Sequence, residues 1–341
     1  MTAASENRLE RAPFFSVIIL THKRPELLQA CLSSLLAAER ILVREVLVVV
    51  NGNNPEDALA ARSFSSRIPG MKIVPLARQS RGAARNAAAA QAQGDWLYFL
   101  DDDVEAPPGL FSDAARLLAE HGEAWILGGP NLTPPDSGLF ERASGLVLES
   151  WIGAGPMRRR YASGPGPRWA DEKSFALCNL CIRAAAFREA GLRFAPELAS
   201  AEENLFVTQL RSLGRPALYA PSLAVYHRRR ASLGTFLAQV YESGVGRRQI
   251  IRKLSKTAQA VFFFPAILVL YALFLAVIRP PAFSWALPAL YSLAVTAEAV
   301  RRALRKKSAA VGLLFALLVP LSHAAYGAGF LTGRPLPRSL I

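Results

Sequence analysis

Cysteine is scarce in this sequence. It holds three, Cys31, Cys178 and Cys181, and an odd, low count builds no disulfide framework. Cys178 and Cys181 form a CxxC, but neither a second pair nor histidines lie nearby in sequence to complete a zinc site. Both are read as small, buried, apolar side chains. Acid is also in short supply: 26 Asp and Glu stand against 40 Lys and Arg, a formal net charge of +14. No apolar run precedes Pro13, so no cleavable leader is expected and the soluble portion should stay in the cytoplasm. The loop after the first apolar run, Thr21-His22-Lys23-Arg24-Pro25, contains no glycine. A nucleotidyltransferase usually carries a glycine-rich phosphate loop at that point, so that class is disfavoured.

What the chain has instead is apolar length and base in particular places. Its hydrophobic fraction is 52% and its charged fraction 19%, more apolar than an average soluble protein. The excess lies after residue 258. Segment 258–278 carries no charge and is long enough to cross a hydrocarbon core of about 30 Å. Segment 280–297 is uncharged and marginally short; 308–333 is uncharged and long. Residues 228–256 hold eight Lys and Arg against one acid, Glu242. Arg301, Arg302, Arg305, Lys306 and Lys307 form a second basic cluster between two apolar runs. Base so placed suits an anionic lipid surface, and no nucleic-acid partner is expected. A multi-pass membrane protein follows, with a bacterial inner membrane as the expected location. Three spans and a cytoplasmic body put the 301–307 cluster inside and the connection at Arg279 outside, as the positive-inside rule asks. Arg334 and Arg338 would then lie outside, which suits the rule less well.

Before that tail, strand-like and helix-like runs alternate. Residues 15–20 (FSVIIL) read as a strand buried on both faces, and 45–50 (EVLVVV), 71–76 and 96–100 (WLYFL) as further strands. Helices are expected from Pro25 to about residue 38 and over 82–93. Residues 131–170 read as irregular, a helix is expected over 201–213, and a short strand ends near His227. This order implies an α/β class with a doubly wound parallel sheet. Ligands in such sheets sit beyond the carboxyl ends of the strands. Thr21, Asn51 and the run Asp101-Asp102-Asp103 occupy those ends.

Three acids at one strand end repel one another, and a cation relieves that repulsion. Mg²⁺ typically takes one or two carboxylates plus substrate phosphates. A solvated acidic turn capping the next helix is the plain alternative. Context favours the first reading. Ser16-Val17-Ile18-Ile19-Leu20-Thr21, Arg81-Gly82-Ala83-Ala84-Arg85-Asn86, Phe99 to Asp103 with Pro108-Gly109, Cys178-Asn179-Leu180-Cys181-Ile182-Arg183, Glu202-Glu203 with Leu210 and Gly214, and Val225-Tyr226-His227 follow one another in order. In that order and spacing, the N-terminal 230 residues resemble glycosyltransferase family 2, whose members have the Rossmann-like GT-A fold and are inverting enzymes.

The resemblance implies roles residue by residue. Asp103 is the expected metal ligand, and Asp101 is expected at the metal or the donor ribose, with Asp102 between them on the donor side. His227 is a further candidate for the metal. The implied cofactor is Mn²⁺ or Mg²⁺. Thr21 and Asn51 match donor-nucleotide positions, although Val50 and Asn51 stand where the family often has two acids. An Asn oxygen can still accept a bond from a base N–H. Arg85 matches a position near the donor phosphates. Glu203 matches the catalytic base, which is more often Asp, and Glu202 is its understudy; Ser200 and Glu203 could equally form a capping box. Processive relatives carry QxxRW, and here Gln249 to Arg252 is followed by Lys253, which argues against processivity. The implied partners are a nucleotide-sugar donor, expected to be UDP-linked, membrane lipids, and a lipid-linked or membrane-proximal glycan acceptor. Such a reaction belongs to cell-envelope or polysaccharide synthesis. The expected organisation is a polar tail 1–12, a GT-A domain 13–230, a basic amphipathic interfacial segment 231–257, about three transmembrane helices within 258–333, and a tail 334–341. A non-catalytic membrane scaffold with a decayed enzyme domain is the competing class.

Overall fold

Each apolar run predicted as a strand forms one, and the loops between them carry more helix than expected. In the computed structural model, residues 13–38, 42–278 and 280–336 are described; the expected tail 1–12, the connection at Arg279 and Arg338 lie outside them. In chain order the first elements are β1 (Phe15–Thr21), α1 (Pro25–Ala37), β2 (Val43–Asn51), α2 (Pro55–Arg62), β3 (Met71–Leu76), α3 (Arg81–Gln91) and β4 (Trp96–Asp101). There follow β5 (Val104–Glu105), α4 (Leu110–Glu120), β6 (Ile126–Gly128), β7 (Asn131–Leu132), α5 (Leu139–Glu149), α6 (Trp151–Ala154) and β8 (Arg168–Trp169). Next come β9 (Asn179–Arg183), α7 (Ala185–Arg188), α8 (Glu202–Ser212), β10 (Ala217–Tyr219) and β11 (Val225–His227). The last helices are α9 (Leu233–Lys253), α10 (Ala260–Ile278), α11 (Ala286–Lys306) and α12 (Ala309–Thr332).

These elements divide into two units. The first takes the residues up to Leu132 together with Ala162–Glu197 and Glu202–His227. The second takes Thr133–Tyr161, Leu198–Ala201 and the residues from Arg228 onward.

The first unit is built on an eight-stranded sheet ordered β3-β2-β1-β4-β9-β6-β10-β8. Strands β1 to β4 pair in parallel, as the alternating pattern predicts. Beyond β4 the sheet becomes mixed, because β9 runs antiparallel to both β4 and β6. The unbroken apolar runs are explained by burial on both faces. Val17, Ile19, Val46, Val48 and Leu100 join one core with Leu28, Leu32 and Leu35 of α1. Their alternate neighbours Ile18, Leu20, Leu47, Val49 and Phe99 join another with Ala84 and Ala88 of α3 and Phe206 of α8. Successive strand side chains point to opposite faces, so both faces need apolar residues. A small second sheet, β5-β11-β7, sits beside the main one.

In the second unit, α5 lies inside the stretch expected to be irregular. Its start is fixed by Glu141, whose carboxylate accepts from the Gly138 N–H at 2.9 Å, and Ala143, Leu146 and Val147 are buried at helical spacing. Gly and Pro on both sides masked that signal. α9 covers most of the segment expected to lie on a membrane surface, and it packs on α12. A Cβ on Gly244 would strike the Tyr326 carbonyl, and one on Gly329 the Tyr241 carbonyl. Three helical stretches, Ala260–Ile278, Ala282–Lys306 and Ala309–Thr332, are long and apolar enough to cross a membrane. The second extends well past the predicted 280–297, because Glu298 folds back onto Arg301 and Arg302 within the helix.

At the opposite end of the sheet from the acid run, Glu45 is 2% exposed and accepts from Ser16 Oγ (2.7 Å), Gln93 N (2.6 Å) and Lys72 Nζ (2.7 Å). Burial alone would raise its pKa. The bonds from Lys72, Gln93 and Ser16 outweigh burial and hold it below the ordinary carboxylate value. A lowered native pKa means stability that is present above the unfolded pKa and lost as pH falls through the native one. Glu45→Ala is expected to cost roughly 1–3 kcal/mol at neutral pH by leaving these donors unmet. The gap between the thermal midpoints of the two proteins should close as the medium is acidified below pH ~4. A gap independent of pH would assign the loss to packing rather than charge.

Candidate active site

The site is assembled from strand ends. Thr21 closes β1 and is 1% exposed. The glycine-free loop after it turns through Lys23, whose φ is 55°. A buried acid holds that turn: Asp57 of α2 accepts from Lys23 N at 2.6 Å and Arg24 N at 2.9 Å. Asp57 is itself placed by the α2 N-cap, Asn54, which accepts its N–H at 2.9 Å. So fixed, Arg24 reaches the acid run, with Nη1 at 3.2 Å from Asp102 Oδ1 and 3.1 Å from Asp103 Oδ2.

Asn51 closes β2. Its amide donates to the Gln79 carbonyl and accepts the Gln79 N–H, each at 3.0 Å. It thereby pins the segment between β3 and α3. Ser80 caps α3 by accepting from Ala83 N, and Gly82 lets the helix approach the Ala195 backbone, whose oxygen would stand 3.1 Å from an added Cβ. Arg85 then points between two acids. Its Nη2 donates to Asp101 Oδ1 and its Nη1 to Glu202 Oε1, both at 2.7 Å. Burial would lower the Arg85 pKa, but Asp101 and Glu202, with Glu203 behind them, keep it above the ordinary value. The acid run is thus joined to the first turn of α8, where Glu202 and Glu203 are both buried.

Two ladders bring further groups to Asp101–Asp103. In the antiparallel pairing of β4 with β9, Leu100 is opposite Asn179, so one step on Asp101 faces Cys178. In the small sheet His227 is opposite Val104, which sets its Nε2 3.0 Å from Asp103 Oδ1. Ligand atoms of Asp101, Cys178 and His227 all lie within 4.8 Å of one another. Burial, then the Asp103 carboxylate, push the Asp102 carboxyl up to about 7 against the pull of Arg24. The cluster therefore holds more negative charge than Arg24 relieves. Carboxylates with an imidazole fit a divalent cation of the Mn²⁺ type. Asp101, Asp103 and His227 are the residues that would hold it.

Thr21, Arg85, Asp101, Asp102, Asp103, Glu202, Glu203 and His227 thus fall in one unit around one set of strand ends. Asn51 lies at the same end, with its amide committed to the backbone of Gln79. Sequence reasoning missed Arg24, Asp57 and Cys178. The first two carry a readable signal, a His-Lys-Arg turn and an Asn-Pro-x-Asp helix start. Cys178 carries none, since its place depends on strand register.

A family model described as glycosyl transferase family 2 matches residues 16–179. Over those residues the chain is similar to that family. The match runs from β1 to the first residue of β9 and takes in Arg85, the acid run and Cys178. Succinoglycan biosynthesis protein ExoM of Rhizobium meliloti (strain 1021) is 25% identical over 237 residues, covering 66% of this chain and 71% of that protein. The uncharacterized protein y4gI of Sinorhizobium fredii (strain NBRC 101917 / NGR234) is 27% identical over 238 residues, 66% of this chain. The chain spans only 26% of y4gI. In shape it is similar to mannosyltransferase PcManGT from Pyrobaculum calidifontis, solved in complex with GDP-Man and Mn²⁺. The TM-score is 0.62 at 17% identity, over 92% of this chain and 88% of that one. That likeness shows the GT-A fold, and the chain carries C-terminal helices long and apolar enough to span a membrane.

In this GT-A domain Arg85→Lys keeps the charge but loses the fork that meets Asp101 and Glu202 with separate nitrogens. Leaving one buried carboxylate unmet is expected to lower stability by about 3 kcal/mol or more, read by chemical denaturation of the variant beside the wild type. A variant as stable as the wild type would show that the bridge contributes nothing net.

Proposed function

We propose that this chain transfers a glycosyl group, with inversion, from a nucleoside-diphosphate sugar to a hydroxyl of a lipid-linked or membrane-proximal glycan. The observation that carries this reading is the Arg85 bridge. It ties Asp101 and Glu202, the neighbour of Glu203, to a single buried guanidinium, which supports reading Asp101 as the donor side and Glu202–Glu203 as the acceptor side. Thr21, Asn51 and Asp102 line the donor end. Arg85 places fixed positive charge where the diphosphate would leave. Glu203 takes the proton of the acceptor hydroxyl as general base, with Glu202 held back as the partner of Arg85. The hydroxyl oxygen bonds to the anomeric carbon while the bond from that carbon to the diphosphate oxygen breaks, and the nucleoside diphosphate departs. A divalent cation, when bound by Asp101, Asp103 and His227, would supply charge neutralisation to the diphosphate.

PcManGT was solved with GDP-Man and Mn²⁺, and ExoM is a succinoglycan biosynthesis protein. Both support a nucleotide-sugar donor, a divalent cation and a role in glycan assembly. The placement of basic residues beside the apolar helices supports a cytoplasmic catalytic unit on a multi-pass membrane segment. Tethering would raise the effective concentration of a lipid-linked acceptor.

The test is a binding panel on detergent-solubilised protein, UDP-sugars and GDP-mannose included, with and without Mn²⁺. One donor is expected to bind in a metal-dependent way, and Asp103→Ala to abolish that dependence. Binding by no donor from folded protein would favour the scaffold class. With the donor known, Glu203→Gln is expected to lower turnover by about 10²-fold or more while donor affinity stays within a few-fold. Near-normal turnover would move the base to another residue, Glu202 first.

A further inference from the structure

Cys178 is the one member of the metal-facing group that sequence motifs leave without a role. It is 5% exposed, and it sits one residue before β9, at the register position across from Asp101. Its sulfur, an Asp101 carboxylate oxygen and a His227 ring nitrogen lie mutually within 4.8 Å. Ligands set tetrahedrally around a single ion at ordinary bond lengths of about 2.0–2.3 Å stand roughly 3.3–3.8 Å apart. A side-chain adjustment brings all three onto one cation. Arg85 takes Oδ1 of Asp101, which leaves Oδ2 for an ion. Asp103 Oδ1, 3.0 Å from His227 Nε2, is at hand as a fourth donor.

We propose that Cys178 is a ligand in this site, so that Asp101, Cys178 and His227 together bind a thiophilic divalent cation such as Co²⁺ or Zn²⁺. The proposal rests on the metal role given above to Asp101 and His227. Hard Mg²⁺ and Mn²⁺ prefer oxygen, whereas thiolate with imidazole selects softer ions. On binding, the Cys178 thiol releases its proton to solvent as the metal–sulfur bond forms. The consequence is a glycosyltransferase site with two cation preferences: a hard ion with the donor diphosphate, and a softer one that competes for Asp101 and His227. The other cysteines do not share this setting. Cys181 is fully buried among apolar residues, and Cys31, buried on α1, donates to the backbone carbonyl of Asp101 at 3.6 Å.

The test uses Co²⁺ as an optical probe on the full chain in detergent. Titration is expected to produce a near-ultraviolet thiolate-to-cobalt charge-transfer band that saturates at one ion per chain. Cys178→Ser should abolish the band and weaken Co²⁺ binding more than about tenfold, while Mn²⁺ affinity, read by electron paramagnetic resonance, changes far less. The double variant Cys31→Ala/Cys181→Ala should keep the band. A wild-type Co²⁺ complex without the band, a band that survives Cys178→Ser, or one lost in the double variant would overturn the proposal. Should Cys178→Ser fail to fold, X-ray absorption of the Co²⁺-loaded double variant decides. One sulfur at about 2.3 Å supports the ligand, and none overturns it. Metal-dependent donor binding without the band would sink this proposal and leave the transferase reading standing. A Cys178-dependent band with no donor binding would do the reverse.

Discussion

Three consecutive carboxylates at the end of a buried strand are the constraint around which this domain is arranged. Their mutual repulsion would unfold the strand end or neutralise the acids unless cations are brought to them. Two guanidiniums are, and each is held by acids elsewhere. Asp57 grips the backbone of the turn that aims Arg24, and Glu202 holds the second arm of Arg85. At Arg85 the planar fork presents one nitrogen to each acid, whereas at Arg24 a single nitrogen, Nη1, meets both Asp102 and Asp103. Burial, with the Asp103 carboxylate after it, still pushes the Asp102 carboxyl up against the pull of Arg24. A site left short of positive charge is one that a divalent cation and a substrate diphosphate can complete.

Strands β1, β2 and β4 were legible in the sequence because they are buried on both faces. Continuous runs such as 45–50 leave little room for another assignment, and the placement of Thr21, Asn51 and Asp101 follows once the strands end where they do. Partners brought in by pairing across long sequence distances were less visible. Cys178 meets Asp101 only because β9 turns antiparallel to β4, and no local pattern announces that reversal. His227 reaches Asp103 through a three-residue strand in a separate small sheet. α5 was missed for a different reason: its own apolar spacing is regular, but flanking Gly and Pro drew the whole segment into a loop.

In the second unit the same lesson applies to composition. Basic and apolar residues in α9 resemble a helix made to lie on lipid, and its face with Gly244 is instead pressed against the backbone of α12. Glycine there removes the side chain so that two helices can approach at backbone distance, a device typical of packing where lipid supplies no hydrophobic drive. Whatever surface α9 offers to lipid is confined to its other faces.

Three asparagines in the first unit, Asn51 and Asn179 buried and Asn86 half-buried, share one task. Asn51 pairs with the backbone of Gln79, Asn86 donates to the Phe194 carbonyl at 2.8 Å and accepts its N–H at 2.9 Å, and Asn179 donates to Leu223 O at 2.7 Å while accepting from Tyr98. A side-chain amide presents one donor edge and one acceptor edge, as a peptide does. It can therefore satisfy the backbone of a loop that has left the sheet and has no ladder partner. Each of these loops or strand ends adjoins an element that carries a site residue: the Gln79 segment leads into α3 with Arg85, Phe194 is held to that same helix, and Asn179 follows Cys178. Asp or Glu at such a position would offer acceptors alone and leave the backbone carbonyl unmet. Asn51 in place of the family's frequent acid is on this account a trade of negative charge for a rigid approach to α3, made at a strand end already crowded with carboxylates.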